Sequence, residues 1–358
     1  MLFISIIIPV RNESLHIEEV LDRLLEQNYD PAKYEILVID GQSDDDTWEK
    51  VARYVEKYPQ VRLLDNPKRL SSAARNVGIQ NAKGDAVLLI DGHCIIDSKE
   101  MLRNVDAAFQ SSGADCLGRP QPLELSQAGA MQLAIAAARR SPIGHHPDSF
   151  IYAGKACFSP AISVAVAYRK EVFEKIGLFD ERFDAAEDCE LNHRIDKAEL
   201  KCYFSPDIAV RYVPRATLSG LAKQLIRYGK GRVRLSRKHP ETFSWKSFLP
   251  AAFVAGLILG VVLCLLWGLL ASSGLGHTLL KAACFLYLGI VAFYLIVVFG
   301  ESFRLAFSLR KWFYYFLLPP VFVTLHIASG WGVLKETLFP TERIGAANIS
   351  HRRTGCGG

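Results

Sequence analysis

The densest chemistry in the chain lies at Asp91-Gly92-His93. A carboxylate and an imidazole two positions apart, with a glycine between them to let the backbone turn, can hold a divalent cation beside a diphosphate. The same triplet also suits a loop aspartate next to an exposed histidine, so its weight comes from its setting. Pro9-Val-Arg11-Asn-Glu13 and Asp40 each close an apolar run. Arg75 carries a planar fork of donors that fits a phosphate, or else belongs to a solvated helix face. Glu187 and Asp188 are adjacent carboxylates at an expected helix start. Either one of them merely caps that helix, or burial and mutual repulsion raise one pKa toward use as a base.

These groups need elements to place them. Val87 to Ile90 is a continuous apolar run bounded by turn residues, as expected of a strand buried on both faces of a parallel sheet. Ligands bind at the carboxyl ends of such strands. Phe3 to Val10, Tyr34 to Asp40 and Val61 to Leu64 read as three more strands. Helices are expected between them: one with Leu15, Val20, Leu21, Leu24 and Leu25 on its apolar face, capped by Asn12-Glu13-Ser14; one over Thr47 to Tyr58; one over Ser71 to Ala82 with Ser71 as cap. The alternation predicts an α/β fold, a mainly parallel central sheet with helices on both faces. No GxGxxG follows the first strand, which excludes the usual dinucleotide fold. Further on, Ala114 to Gly118, Ile162 to Arg169, Lys201 to Pro206 and Ile208 to Val213 read as strands, and Gln127 to Arg140 as helix. Ser141 to Pro160, with His145 and His146, reads as an irregular loop over the site.

The second half is of another character. Residues 248–270, 282–300 and 312–334 contain no charged side chain. Each approaches the roughly 20 apolar residues that cross a bilayer as helix. Met1 to Val10 lacks the basic start and cleavage site of a signal peptide. The net charge of +5 divides unevenly: residues 211–246 hold ten Lys or Arg against Glu241 alone, a local +9 that leaves −4 for the rest. A basic block beside an apolar run points to a cytoplasmic membrane face and anionic lipid rather than to nucleic acid. Residues 301–311 are net +2, so the first two runs form a hairpin across the bilayer. The third is expected to break at Pro319-Pro320; if it crossed, the basic tail would lie outside, against the positive-inside tendency, and a re-entrant or interfacial third segment would remove that conflict. Eight cysteines without a CxxC pair argue against a zinc site or disulfide framework.

Four stretches carry a resemblance. Ser5-Ile-Ile-Ile-Pro-Val-Arg-Asn-Glu13, Ile39-Asp-Gly-Gln-Ser-Asp-Asp-Asp-Thr47, Ser72-Ala-Ala-Arg-Asn-Val-Gly78 with Ala82-Lys-Gly-Asp85, and Asp91-Gly-His93 together resemble the family 2 inverting glycosyltransferases of GT-A fold. The last stands where that family has Asp-x-Asp or this variant of it. Gly41 replaces a frequent second acid after Asp40, and His93 is a softer donor than a carboxylate. Gly177-Leu-Phe-Asp-Glu181 before Ala185-Ala-Glu-Asp-Cys-Glu-Leu191 resembles the acceptor half of the family. Gln224-Leu-Ile-Arg-Tyr228 resembles the Gln-x-x-Arg-Trp motif of its membrane-bound polysaccharide synthases. His326-Ile-Ala-Ser-Gly330 resembles a His-x-x-x-Gly pattern of related exopolysaccharide transferases, without an assigned role. The chain is most similar to the succinoglycan-type exopolysaccharide transferases over nearly its whole length.

The resemblance implies roles and an organisation. Residues 1–215 would form the catalytic domain, 216–246 a basic interfacial segment, 247–335 the membrane region and 336–358 a basic tail. Pro9, Arg11, Glu13 and Asp40 would hold the nucleoside, and Arg75 the phosphates. Asp91 and His93 would bind Mg²⁺ or Mn²⁺. Asp188, with Glu187 beside it, would be the catalytic base. Gln224, Arg227 and Tyr228 would line the acceptor and diphosphate end. The implied reaction is inverting transfer from a nucleotide-diphosphate sugar, UDP-linked by preference, to a lipid-linked saccharide or polyprenyl phosphate. The enzyme would sit in the cytoplasmic membrane with its catalytic domain inside. The alternatives are a processive polysaccharide synthase and a non-catalytic nucleotide-sugar-binding membrane protein.

Overall fold

The computed structural model describes residues 1–126, 128–144, 154–269 and 275–341. The alternating first part runs β1 (Ile4–Val10), α1 (Ile17–Leu25), β2 (Tyr34–Asp40), α2 (Thr47–Lys57), β3 (Val61–Asp65), α3 (Ser71–Asn81), β4 (Ala86–Leu89). There follow β5 (Cys94–Ile95), α4 (Met101–Ser112), β6 (Cys116–Gly118), α5 (Ala130–Arg140), β7 (Cys157–Phe158), β8 (Ala165–Arg169), α6 (Lys170–Ile176), α7 (Glu187–Lys197), β9 (Cys202–Phe204) and β10 (Arg211–Tyr212). Strand order in the main sheet is β3-β2-β1-β4-β8-β6-β9-β7, and β5 pairs with β10 separately. The β3-β2-β1-β4 half is parallel throughout. β8 runs antiparallel to both its neighbours, so the sheet is mixed beyond β4.

β1 explains the layering. Ile4, Ile6 and Ile8 face one core with α1 and α4, while Ile7 faces the other with α3, α6 and α7. All four are fully buried, which a period-2 strand between two helix layers requires. Each such side chain contributes about 1.5–3 kcal/mol relative to exposure.

Several local expectations are corrected. Ser71 is the first helical residue of α3 rather than its cap. The start of α1 is held by the Glu13 carbonyl, which accepts from the His16 and Ile17 N–H groups, and Leu15 is left outside at 88 % exposure. The stretch expected as a strand from Ile162 begins with a 3-10 turn, Ala161–Ser163, whose Ala161 and Ile162 N–H groups donate to Asp196. Part of the expected 141–160 loop is the edge strand β7, paired with β9. His145 and His146 lie outside the described residues.

Four long helices follow: α8 (Leu218–Lys238), α9 (Trp245–Leu269), α10 (Leu275–Ser308) and α11 (Tyr314–Leu338). The last three are long and apolar enough to cross a membrane. α11 is continuous through Pro319 and Pro320, where a break was expected. The two prolines remove ladder donors near its start, but Leu318, Pro319, Val321 and Phe322 are buried, and this packing holds the turn.

Candidate active site

Parallel register brings the strand ends together. Val10 pairs with Asp40 and Ile7 with Leu89, so the segments after β1, β2 and β4 open on one edge of the sheet. Asp40 is buried, and its carboxylate accepts from the Ser43 hydroxyl at 2.5 Å and the Ser43 N–H at 3.0 Å. The turn after β1 is fastened to the turn after β2: the Asn12 N–H donates to Ser43 Oγ, and Asn12 Oδ1 accepts from the Asp44 N–H. Asn12 holds φ +57°, a left-handed conformation that asparagine tolerates. Arg11 lies exposed beside this turn.

Gly92 is required by close approach. A Cβ there would stand 2.8 Å from Val10 Cγ1 and 3.3 Å from Glu13 Cγ. The contact seats His93 against Glu13, with Nδ1 2.9 Å from Glu13 Oε1. The other ring nitrogen, Nε2, lies 2.5 Å from the Tyr212 hydroxyl. Burial pulls the His93 pKa down, but the bond to Glu13 and the charges of Glu13 and Asp91 outweigh it and raise the value above normal. Both nitrogens are thus engaged, whereas the Asp91 carboxylate is 37 % exposed.

Arg75 joins this edge to α7. Its Nη1 donates to Glu187 Oε1 at 2.9 Å, and its Nη2 stands 3.9 Å from Asp91 Oδ1. The guanidinium lies over the Phe179 ring at 5.3 Å. α3 is locked to the segment before α7 by Asn76, which exchanges two 2.9 Å bonds with the Phe179 backbone, and by the Ser72 hydroxyl, which donates to the Phe183 carbonyl. Ala186 precedes α7 at φ +61°, a conformation that costs a non-glycine residue about 1–2 kcal/mol. It is held from behind by α8, where a Cβ on Gly231 would stand 2.7 Å from the Ala185 carbonyl oxygen.

Burial and the like charge of Asp188 raise the Glu187 pKa, against the opposing charges of Arg75 and Arg227. Asp188 accepts from the Cys189 N–H at 2.8 Å and is otherwise turned outward. On α8, Gln224 Nε2 donates to the Tyr228 hydroxyl at 3.0 Å, while Arg227 and Tyr228 are exposed. Pro9 stays within β1. Among the expected site residues, Arg75, Asp91 and Glu187 converge directly, Glu13 and His93 pair beside them, Asp188 and Arg227 reach Glu187 by their fields, and Asp40 is turned onto its own loop.

Sequence reasoning missed Tyr212. It lies 119 residues from His93, in the expected strand Ile208 to Val213, where no chemical motif marks it. The antiparallel pairing of Tyr212 with Cys94 puts it next to the triplet.

The family model for glycosyl transferase family 2 matches residues 5–177. The succinoglycan biosynthesis protein ExoA of Rhizobium meliloti (strain 1021) is 30% identical over 281 residues, covering 76% of this chain and 83% of that protein. The chain belongs to glycosyl transferase family 2. A dolichyl N-acetyl-alpha-D-glucosaminyl phosphate 3-beta-D-2,3-diacetamido-2,3-dideoxy-beta-D-glucuronosyltransferase of Methanococcus voltae is 29% identical over 252 residues, 68% of this chain and 77% of its own. The fold is similar to that of the mannosyltransferase PcManGT from Pyrobaculum calidifontis, solved with GDP-Man and Mn²⁺, at 18% identity, TM-score 0.56, and coverage of 92% and 87% of the two chains. The enzyme is therefore a glycosyltransferase of GT-A fold whose three apolar helices suggest membrane association.

Proposed function

We propose that this family 2 enzyme transfers a sugar, with inversion, from a nucleotide-diphosphate sugar to a lipid-linked saccharide or polyprenyl phosphate, in extracellular polysaccharide or envelope glycan synthesis. The observation that carries the reading is Arg75, held between Asp91 at the strand ends and Glu187 at the start of α7. A donor diphosphate and an acceptor hydroxyl would meet across that residue.

The donor would lie along the ends of β1, β2 and β4, with Pro9 to Glu13 and Asp40 at the nucleoside. A UDP-sugar is the preferred donor; a solved structure of similar fold holds GDP-Man, so the base is part of the test. Arg75 has spare capacity for a diphosphate: its Nε has no hydrogen-bond partner among the described residues, and its Nη2 is not within bonding distance of Asp91. Asp91 offers an open carboxylate to Mg²⁺ or Mn²⁺, and His93 fits the same donor set if its Nε2 exchanges Tyr212 for the ion. A cation held there supplies charge neutralisation for a departing diphosphate.

Asp188 would take the proton from the acceptor hydroxyl as that oxygen attacks the anomeric carbon. Glu187 would hold Arg75 in position. The nucleoside diphosphate leaves without needing a proton, so one carboxylate suffices and no covalent intermediate forms. Gln224 would orient Tyr228, and Arg227 with Tyr228 would face the acceptor. The basic helix α8 and the apolar helices support a site at the cytoplasmic face of the membrane.

The test is sugar transfer from labelled nucleotide sugars into a lipid extract by membranes containing the full chain. One added sugar of inverted anomeric configuration is expected. Retention of configuration, or a polymeric product, would overturn this reading.

A further inference from the structure

The third apolar helix is built into the catalytic body. It runs parallel to α8 along most of its length. Leu221 clusters with Leu318, Val321 and Phe322. A Cβ on Gly332 would stand 2.3 Å from the Ile226 carbonyl oxygen, and one on Gly229 would stand 2.6 Å from that of Ser329. Further along, Arg234 Nε donates to Glu336 Oε1 at 3.1 Å, and Arg237 Nη2 donates to the Glu336 carbonyl at 2.9 Å. Glu336 is fully buried.

Other parts of the catalytic body hold the same helix. Ala134, Ile135 and Ala138 of α5 share a cluster with Leu318, Val321 and Leu325. His326 Nε2 donates to the Ile143 carbonyl at 2.8 Å, which leaves Nδ1 to accept from the Tyr294 hydroxyl at 3.0 Å. Arg234 also pairs with Asp184, just ahead of α7.

α9 and α10 are treated differently. Only 17% and 11% of their apolar windows are buried, against 50% for α11. They form a hairpin with each other through Gly260 and Tyr287, and through Trp267 and Phe285. The contacts that join α11 to this hairpin involve Pro250, Ala251 and Val254 of α9 and Tyr294, Val298 and Phe303 of α10. These lie in the halves nearest the catalytic body.

A helix cannot cross hydrocarbon while packed lengthwise on α8. That would carry Lys223, Arg227, Lys230 and Arg232 into the bilayer with it, and charged side chains there are expensive. An in-plane position removes the cost. α8 then presents its bases to headgroups, and the exposed Trp312, Phe313, Phe316 and Trp331 of the adjoining segment lie at the depth where aromatic residues collect.

We propose that α11 lies in the membrane interface beside α8 as a lipid-contacting platform, so that only α9 and α10 cross and residues 339–358 stay on the side of the catalytic domain. Lys335, Arg343, Arg352 and Arg353 then share a side with the basic block of α8, in keeping with the positive-inside tendency. The proposal is independent of donor and acceptor.

It is tested with the full chain in sealed membrane vesicles, carrying epitopes ahead of Met1, between Ser272 and Ser273, and after Gly358. Added protease is expected to remove the two terminal epitopes together and spare the internal one, or the reverse in vesicles of opposite orientation. A terminal pair that splits, with the last epitope sharing the fate of the internal one, would overturn the proposal. A second readout uses Trp331 as the sole tryptophan, with brominated lipids. Stronger quenching by bromine near the carbonyl region than by bromine near the chain ends is expected, and the opposite order would contradict it.

Discussion

Arg75 Nη1 donates to Glu187 Oε1 at 2.9 Å across 112 residues of chain. The pair is mostly buried, with side-chain exposures of 12% and 10%. It links the helix before the central strand to the helix that opens with the acidic pair, and on the proposed reading it would fix the distance between the donor and acceptor ends of the site. Arg75 must carry its charge through two planar donors, one toward each end. A lysine cannot do this. Arg75→Lys is therefore expected to lower kcat/KM by about 10- to 100-fold, the worth of a charge-assisted hydrogen bond, with the larger effect on the donor KM. Steady-state kinetics with varied donor check it.

The pH profile should report Glu187. Its pKa is raised from the ordinary 4.5 by burial and then by Asp188. As pH falls through that raised value the carboxylate is neutralised and Arg75 loses its partner. The acid limb of kcat/KM should thus lie above the ordinary carboxylate range. In Glu187→Gln the group with the raised pKa is gone, and the limb should move to lower pH at a reduced plateau. An unmoved limb would remove Glu187 from this role.

Tyr212 competes for His93. If His93 is to share a cation with Asp91, the Tyr212 hydroxyl must give up Nε2. Tyr212→Phe deletes that competitor without changing ring packing, which is edge-on at 4.9 Å. One neutral hydrogen bond is worth about 0.5–1.5 kcal/mol, so the metal concentration for half-maximal activity should fall by about 2- to 10-fold. A rise instead would mean that the hydroxyl holds His93 ready for the ion.

Glu190 anchors the other end of this assembly. It is fully buried and takes Arg194, Lys238 and His239, tying α7 to the end of α8. Burial raises its pKa but is outweighed by the bonds from Arg194, Lys238 and His239, so the folded value is below the ordinary 4.5. A depressed carboxylate contributes stability above its unfolded pKa and loses it as pH falls through its folded one. Glu190→Gln should cost about 3 kcal/mol near neutral pH, the usual cost of breaking a buried pair. The gap to the unmutated protein should close as pH falls below 4.5. Denaturant unfolding in detergent at two pH values measures it.

The sequence shows the parallel half of the fold because its inner strands β1, β2 and β4 are mostly apolar on both faces and end in polar turns. Asp40 and Asp91 could be placed at one edge from that pattern alone. Arg75 and Asn76 could be placed on α3, but their partners, Glu187 and the Phe179 backbone, are fixed only by the packing of α3 on the segment before α7. Tyr212 fell within the expected strand Ile208 to Val213, but its place beside His93 was illegible, since its two-residue partner β5 leaves no periodicity. Hydropathy cannot tell lipid from protein as the neighbour of an apolar helix. Buried glycines and a buried glutamate on α11 were the available signs, but only the α8 contacts give them meaning. The proline pair was misjudged because it lies in the opening turns of a helix held by tertiary packing.

On the proposed reading, Asp188 activates an acceptor hydroxyl against a nucleotide-diphosphate sugar. The most direct measurement is nucleoside diphosphate release by membranes carrying the unmutated chain or Asp188→Asn, over a panel of donors, with and without polyprenyl-linked acceptor and EDTA. The unmutated enzyme should release nucleoside diphosphate from one donor class, dependent on acceptor and suppressed by EDTA. Asp188→Asn should lose at least about 100-fold of that rate, as expected on removing a general base, while still binding the donor. Full activity in Asp188→Asn would contradict the account, as would release that ignores the acceptor.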